Sequence, residues 1–318
     1  MNKLEGLYYL YKGKLRTRIS KKIGQEKFGN KIKHYADKEM LNAEQANQYI
    51  SDAILSGNPF MTCRFGSTEL TSLSSFYFQK ENEYQKAMEH VCFYSGFFPC
   101  EKDLGPKFMN TMLESSQQAD MMAVWFVQYE DYFLKKNLRK DAKISYLMNI
   151  EPWRVKNPWT KSLKGKKVLV IHPFEESIQF QYKKRELLFA NPDFLPEFEL
   201  KTLKAIQTIA GAKDARFETW FDALEYMYEE AMKIDFDIAI LGCGAYGMPL
   251  AAMLKKAGKQ AIHLGGVTQI LFGIKGKRWE ETTVYNYIKE LMNDEWVYPL
   301  ENEKPKLANN VEQSCYWN

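Results

Sequence analysis

Arg64, Glu69 and His172 are the side chains best suited to chemistry, and the glycine cluster from Gly242 to Gly247 is the backbone best suited to hold an anion. Arg64 closes an apolar run, residues 60–65. Gly66 and Ser67 follow, and Glu69 falls in the first turn of an expected helix. An arginine ending a buried strand needs an anionic partner, and its planar fork suits a diphosphate. Gly66 permits a sharp turn, and the Ser67 hydroxyl is suited to cap the new helix. Glu69 taken alone fits a structural role, since the positive end of a helix favours acids. His172 follows the apolar run KVLVI and precedes Pro173. There it is a base, a hydrogen-bond donor to a phosphate, or a core histidine with its bonds satisfied.

The glycine cluster lies in FDIAILGCGAYGMPLAAMLKKAGKQAIHLGG, residues 236–266. An apolar run feeds Gly242, Gly244, Ala245, Tyr246 and Gly247; an amphipathic segment closed by Gly258 and a second apolar run, 260–264, follow. This is strand, turn, helix, strand with G-x-G-x-x-G spacing, which lets backbone N–H groups and a helix N-terminus approach a phosphate. The same glycines also serve close helix–sheet packing. A dinucleotide site places an acid at the end of the second strand. Here that strand ends in His263, Leu264, Gly265 and Gly266, which argues against NAD. Pro249 stands in the first helical turn, where a missing N–H costs little.

Further candidates surround these. Ser177, Gln181 and Arg185 share one face of the helix expected over 176–189. Gln269 lies in the loop after Gly266. Lys275, Lys277 and Arg278 precede Trp279 in a loop that would neutralise a leaving diphosphate or form an exposed basic turn.

These residues must be positioned by a scaffold, and 318 residues suffice for one large α/β domain or two smaller ones. Strands are expected over 60–65, 120–126, 143–147, 167–171, 236–241 and 260–264. Helices are expected over 43–55, 67–78, 84–94, 176–189, 220–233 and 282–293. The alternation predicts an α/β fold: a doubly wound, mostly parallel, Rossmann-like sheet. Three segments are expected: a basic helical arm over 1–57, an α/β domain over 58–300, and an irregular tail over 301–318. The stretch 151–167, with Pro152, Pro158 and Gly165, reads as a surface link. Ligands of such sheets collect outside the carboxyl ends of the strands. That rule gathers Arg64–Gly66, His172–Pro173, Gly242–Gly244 and His263–Gly266 on one rim.

The net charge of +4 is too small to indicate a nucleic-acid partner, but it is unevenly placed. Residues 1–38 hold eleven Lys and Arg against three acids, beside Leu4, Leu7, Tyr8, Tyr9 and Leu10. Such an arm suits an anionic membrane surface, an acidic partner, or a solvated helix face. Five cysteines in an odd set without C-x-x-C spacing make a disulfide framework or zinc site unexpected. With neither a spanning segment nor a signal-type apolar core, a cytoplasmic location is expected, peripheral to the inner face of the plasma membrane if the arm binds lipid.

The pattern R-F-G-S-T-E, residues 64–69, resembles the R-x-G-D-G-E junction of the GT-D-fold glycosyltransferases. Residues 164–182, 235–279 and 295–299 are similar to bacterial glycosyltransferase-like proteins of surface-polysaccharide clusters, capsule among them. The resemblance spans roughly 60–300. It implies a sugar-nucleotide donor, a UDP-sugar foremost, bound at the strand rim, often with Mn²⁺ or Mg²⁺, and a glycan or lipid-linked acceptor. The family's Asp is Ser67 here, which leaves Glu69 as the single carboxylate of the implied metal motif. The implied function is sugar transfer, with Glu69 or His172 catalytic. Donor-binding would fall to Arg64, Gly66, Ser67, Ser177, Gly242, Gly244, Ala245, Tyr246, Gly247, His263 and Arg278. The competing readings are an S-adenosylmethionine or NAD enzyme and a non-catalytic nucleotide- or glycan-binding protein.

Overall fold

In the computed structural model residues 3–78, 81–212, 214–305 and 316–317 are described. Nine strands form one sheet: β1 (His34–Tyr35), β2 (Lys38–Leu41), β3 (Phe60–Arg64), β4 (Met121–Val124), β5 (Lys143–Tyr146), β6 (Lys167–His172), β7 (Glu199–Lys204), β8 (Ile238–Leu241) and β9 (Gln260–His263). Their order is β1-β2-β5-β4-β3-β9-β8-β6-β7. Every neighbouring pair is parallel except β1 with β2.

The strands are short apolar runs because both faces of the sheet are covered. In β6, Val168 and Val170 belong to one core cluster, while Leu169 and Ile171 belong to another. Ten of the helices are α1 (Lys3–Ile23), α2 (Gln25–Lys31), α3 (Ala43–Ser56), α4 (Ser67–Phe78), α5 (Glu81–Ser95), α6 (Gly105–Ser116), α7 (Glu130–Asn137), α8 (Glu175–Tyr182), α9 (Trp220–Met232) and α10 (Gly247–Lys256). The Val168 face packs against Ile50 and Ile54 of α3 and Ile178 of α8. The Leu169 face meets Met227 of α9 and Leu250 and Leu254 of α10. The fold is the expected doubly wound, mostly parallel α/β sheet.

Several expectations need correction. The segment 1–57 is not a helical arm throughout, because β2 pairs with β5 inside the main sheet and α3 covers that sheet's face. The stretch 151–167 is no surface link: Trp159 and Leu163 are fully buried, and the Trp159 indole N–H donates to the Ile150 carbonyl at 2.8 Å. The expected helix 176–189 ends at Tyr182. The expected helix over 282–293 is replaced by short turns, Thr283–Tyr285 and Asn286–Lys289. Strand β7, mostly polar and at the sheet edge, escapes an apolar-run reading. Finally, Cys92 and Cys100 are joined in a disulfide, a pairing that the cysteine pattern did not lead one to expect. The two residues are eight apart, across the turn that follows α5, so the pairing leaves no C-x-x-C signature. No helix among the described residues is long and apolar enough to cross a membrane.

Candidate functional site

The chain leaves β6 towards β7 and leaves β8 towards β9, on opposite sides of the adjacent pair β6–β8. Diverging loops leave a crevice at the carboxyl ends of such strands. A cavity of about 510 Å³ opens there, lined by the ends of β3, β4, β6, β8 and β9 and by the loop after β7. Arg64, Gly66, Ser67, Glu69, His172, Gly242, Gly244, Ala245, Tyr246, His263 and Arg278 all line it.

Arg64 stands at the end of β3 with its guanidinium 4.3 Å from the centroid of the Trp125 ring. Its Nε is buried and has no hydrogen-bond partner, and it makes no ion pair among the described residues. Burial pulls its pKa down, while nearby Tyr316 and Glu69 act the other way. The group stays charged at neutral pH. A cation partly withdrawn from water and without an ion pair carries a desolvation cost that a bound anion would offset.

Glu69 is 5% exposed and is the only acid among the described residues that line the cavity. Its carboxylate folds back over Gly66 and accepts from the Thr68 hydroxyl at 2.9 Å. Thr68 is in turn within 2.6 Å of the Ser95 hydroxyl, which ties the carboxylate to the end of α5.

His172 is 4% exposed, and its Nδ1 accepts the Phe174 backbone N–H at 3.0 Å. The ring proton therefore sits on Nε2, which has no partner among the described residues. Burial pushes the pKa down to about 3, so at neutral pH the ring is a neutral donor. His263 is likewise buried and pushed to about 3, by burial first and then by the charge of Arg64. Its Nδ1 has no partner.

The glycines divide between the two roles expected of them. A side chain on Gly242 would overlap the His172 ring and come within 2.7 Å of Thr268. One on Gly247 would overlap His263. These two glycines admit the histidines. Gly244 is different: it has φ +58° and open space around its Cα, so its backbone faces the cavity rather than a neighbour. Tyr246 stacks on Trp220 at 4.7 Å between centroids, which holds the turn against α9.

Not every candidate reaches the cavity. Ser177 is buried elsewhere: its hydroxyl donates to Glu303 and accepts from the Leu300 N–H. Gln181 donates to the carbonyls of Gly273 and Glu295. Arg185 lies beside Glu186 and Glu197. The Gln269 amide lines the cavity, but its N–H₂ group serves the carbonyls of Ile274, Lys275 and Tyr316. Arg278 donates to the Tyr316 hydroxyl at 2.6 Å, with its guanidinium 4.5 Å from that ring.

Three contributions escape the sequence reading. Trp125 directly follows β4, and its indole N–H donates to the Phe65 carbonyl at 2.9 Å. The backbone N–H groups of Trp125 and Phe126 donate to Glu130, whose pKa burial raises to about 7. The strand-end rule applied to the run 120–126 would have found Trp125. Tyr316 and Trp317 also return to line the cavity, and no local signal announces that.

A metal held by the protein does not fit this donor set. Hard divalent cations need several oxygen ligands, preferably charged. Here one carboxylate is turned onto Gly66, its neighbour is the neutral Ser67, and the nearest charged groups are arginines.

No protein-family model matches the chain, and no curated protein matches it. Two solved structures of domain of unknown function 1792 are similar to it, one described as having a distinct glycosyltransferase fold and the other a selenomethionine-substituted structure. Each is 15% identical with a TM-score of 0.42, covering 72% or 73% of this chain and 79% of the other. The likeness is one of fold.

Proposed function

We propose that this protein is a sugar-nucleotide-dependent glycosyltransferase whose donor, a UDP-sugar, binds in the cavity at the ends of β3, β6, β8 and β9. The acceptor is a glycan or lipid-linked saccharide of a surface polysaccharide. One observation carries the reading: the Arg64 guanidinium, with its Nε buried and unpartnered, makes no ion pair among the described residues and stands at the cavity beside Glu69, the single acid among the described residues that line it. The resemblance of residues 64–69 to the GT-D junction supports it.

In this reading the diphosphate lies against Arg64, Arg278, the Nε2–H of His172 and the backbone around Gly244. As the bond between the anomeric carbon and the diphosphate oxygen breaks, negative charge grows on that oxygen. Fixed positive partners stabilise it more than the intact donor, which lowers the barrier. The acceptor oxygen bonds to the anomeric carbon, and its proton passes to Glu69. His172 serves as donor rather than base because its Nδ1 is already occupied. The arginines do the work that a protein-held metal would otherwise do.

The test is a thermal-shift panel of UDP-, GDP-, dTDP- and CMP-sugars, S-adenosylmethionine and NAD, followed by an assay for released nucleotide. A specific ligand raises the melting temperature by mass action. A shift with a sugar nucleotide and release of its nucleotide support the proposal. A shift with S-adenosylmethionine or NAD alone overturns it, and binding without turnover reduces the protein to a binding module.

A further inference from the structure

We infer that the outer face of α1 docks on an anionic lipid surface, whatever reaction the cavity supports. The helix has one face that is clearly used. A side chain on Gly6 would come within 2.8 Å of Phe78, and one on Gly13 within 3.1 Å of Gln128. Tyr9, between them in the helical repeat, is buried edge-to-face against Tyr132 at 5.2 Å. Arg16 and Lys12 reach Asp131 at 2.5 and 3.0 Å. Residues 6, 9, 13 and 16 thus define the packed side.

The opposite side presents Leu7, Tyr11, Leu15 and Ile19 at four-residue spacing, with Tyr8 beside them. They are exposed by 48, 66, 58, 41 and 59% respectively. A soluble helix normally places polar residues there. Lys14, Arg18, Lys21 and Lys22 border the stripe, all exposed and without an ion pair among the described residues. Over 21 residues the helix therefore offers an apolar stripe edged by cations. That pairing decides the occupant: a second apolar protein face gains nothing from four uncompensated cations, whereas an anionic bilayer satisfies both parts. The rings and aliphatic chains enter the headgroup region while the cations meet lipid phosphates. Asp131, Glu5 and Asp37 are already engaged, by Lys12 and Arg16, by Lys136 and by Lys135 respectively.

The experiment is co-sedimentation of the full chain with vesicles of phosphatidylcholine alone or mixed with phosphatidylglycerol. We expect binding only to the mixed vesicles, weakening by roughly fivefold for each cation replaced among Lys14, Arg18, Lys21 and Lys22 by Gln. Leu7→Ser with Tyr11→Ser and Leu15→Ser should abolish it. Circular dichroism and melting should stay unchanged in these variants, because every replaced side chain is exposed. Leu187→Ser, another exposed apolar position, should bind like the parent. Absence of sedimentation with mixed vesicles overturns the inference, as does binding that survives the triple substitution. A dimer in light scattering that the triple substitution dissociates, without vesicle binding, gives the face to a second copy and also overturns it.

Discussion

The Glu69 carboxylate occupies the space that any side chain at residue 66 would need, so Gly66 and Glu69 form one structural unit. Gly66 does not have a positive φ, so alanine there is not strained by the backbone. Only the far end of Glu69 would have to move. Gly66→Ala should therefore keep its fold, losing about 1 kcal/mol or less. It should lose turnover by about a hundredfold, as should Glu69→Gln. Paired measurements of melting temperature and nucleotide release check this, and full activity in Gly66→Ala would refute the assignment of Glu69.

Arg64 is predicted to anchor the diphosphate. A hydrogen bond to a charged group contributes about 1.5–3 kcal/mol, so Arg64→Ala should weaken sugar-nucleotide affinity by roughly tenfold to a hundredfold. Arg64→Lys should not restore it, because an ammonium lacks the planar fork and cannot stack as well on Trp125. Titration calorimetry with a nucleoside diphosphate measures both variants. Unchanged affinity in Arg64→Ala would remove the central support of the proposed function.

The buried histidines predict acid sensitivity. His172 and His263 have folded pKa values near 3, below the ordinary value of 6.5. Between those limits the unfolded chain binds protons that the folded chain refuses, so stability falls as pH falls. Their contribution is whole above about 6.5 and is lost towards 3. The melting-temperature advantage of the parent over His172→Asn and over His263→Asn should shrink steadily from pH 7 to pH 4. A gap independent of pH would show that neither ring is held neutral.

Chelation and a single substitution separate arginine from metal chemistry. Sugar-nucleotide binding and nucleotide release should survive EDTA in the parent protein. Ser67→Asp adds a second carboxylate two residues before Glu69, at the start of the same helix, and should introduce Mn²⁺ affinity detectable by calorimetry. Complete and Mn²⁺-reversible inhibition of the parent by EDTA would contradict the donor set as read here.

Much of the scaffold was legible because its signals are local. The runs in β3, β6, β8 and β9 are mostly apolar, and three of them end in a polar residue, Arg64, His172 and His263, while β8 runs into Gly242. Ser67–Phe78 was read with its observed bounds. Strands β2 and β7 were missed because half of the residues in each are charged, and the segment 151–167 because its prolines and lysines masked Trp159.

Amino-acid order alone pointed to the parallel α/β sheet and the rim on which Arg64, His172, His263 and the glycine turn gather. Burial pattern, turn chemistry and the direction of parallel strands suffice for that. Packing decided the rest: that Ser177 faces Glu303 rather than the cavity, that Tyr316 returns to Arg278, and which nitrogen of His172 keeps its proton. The first two join residues 126 and 38 positions apart, where spacing in the chain carries no signal. The third depends on the turn that brings the Phe174 N–H back onto the ring, a backbone geometry that residue types do not dictate.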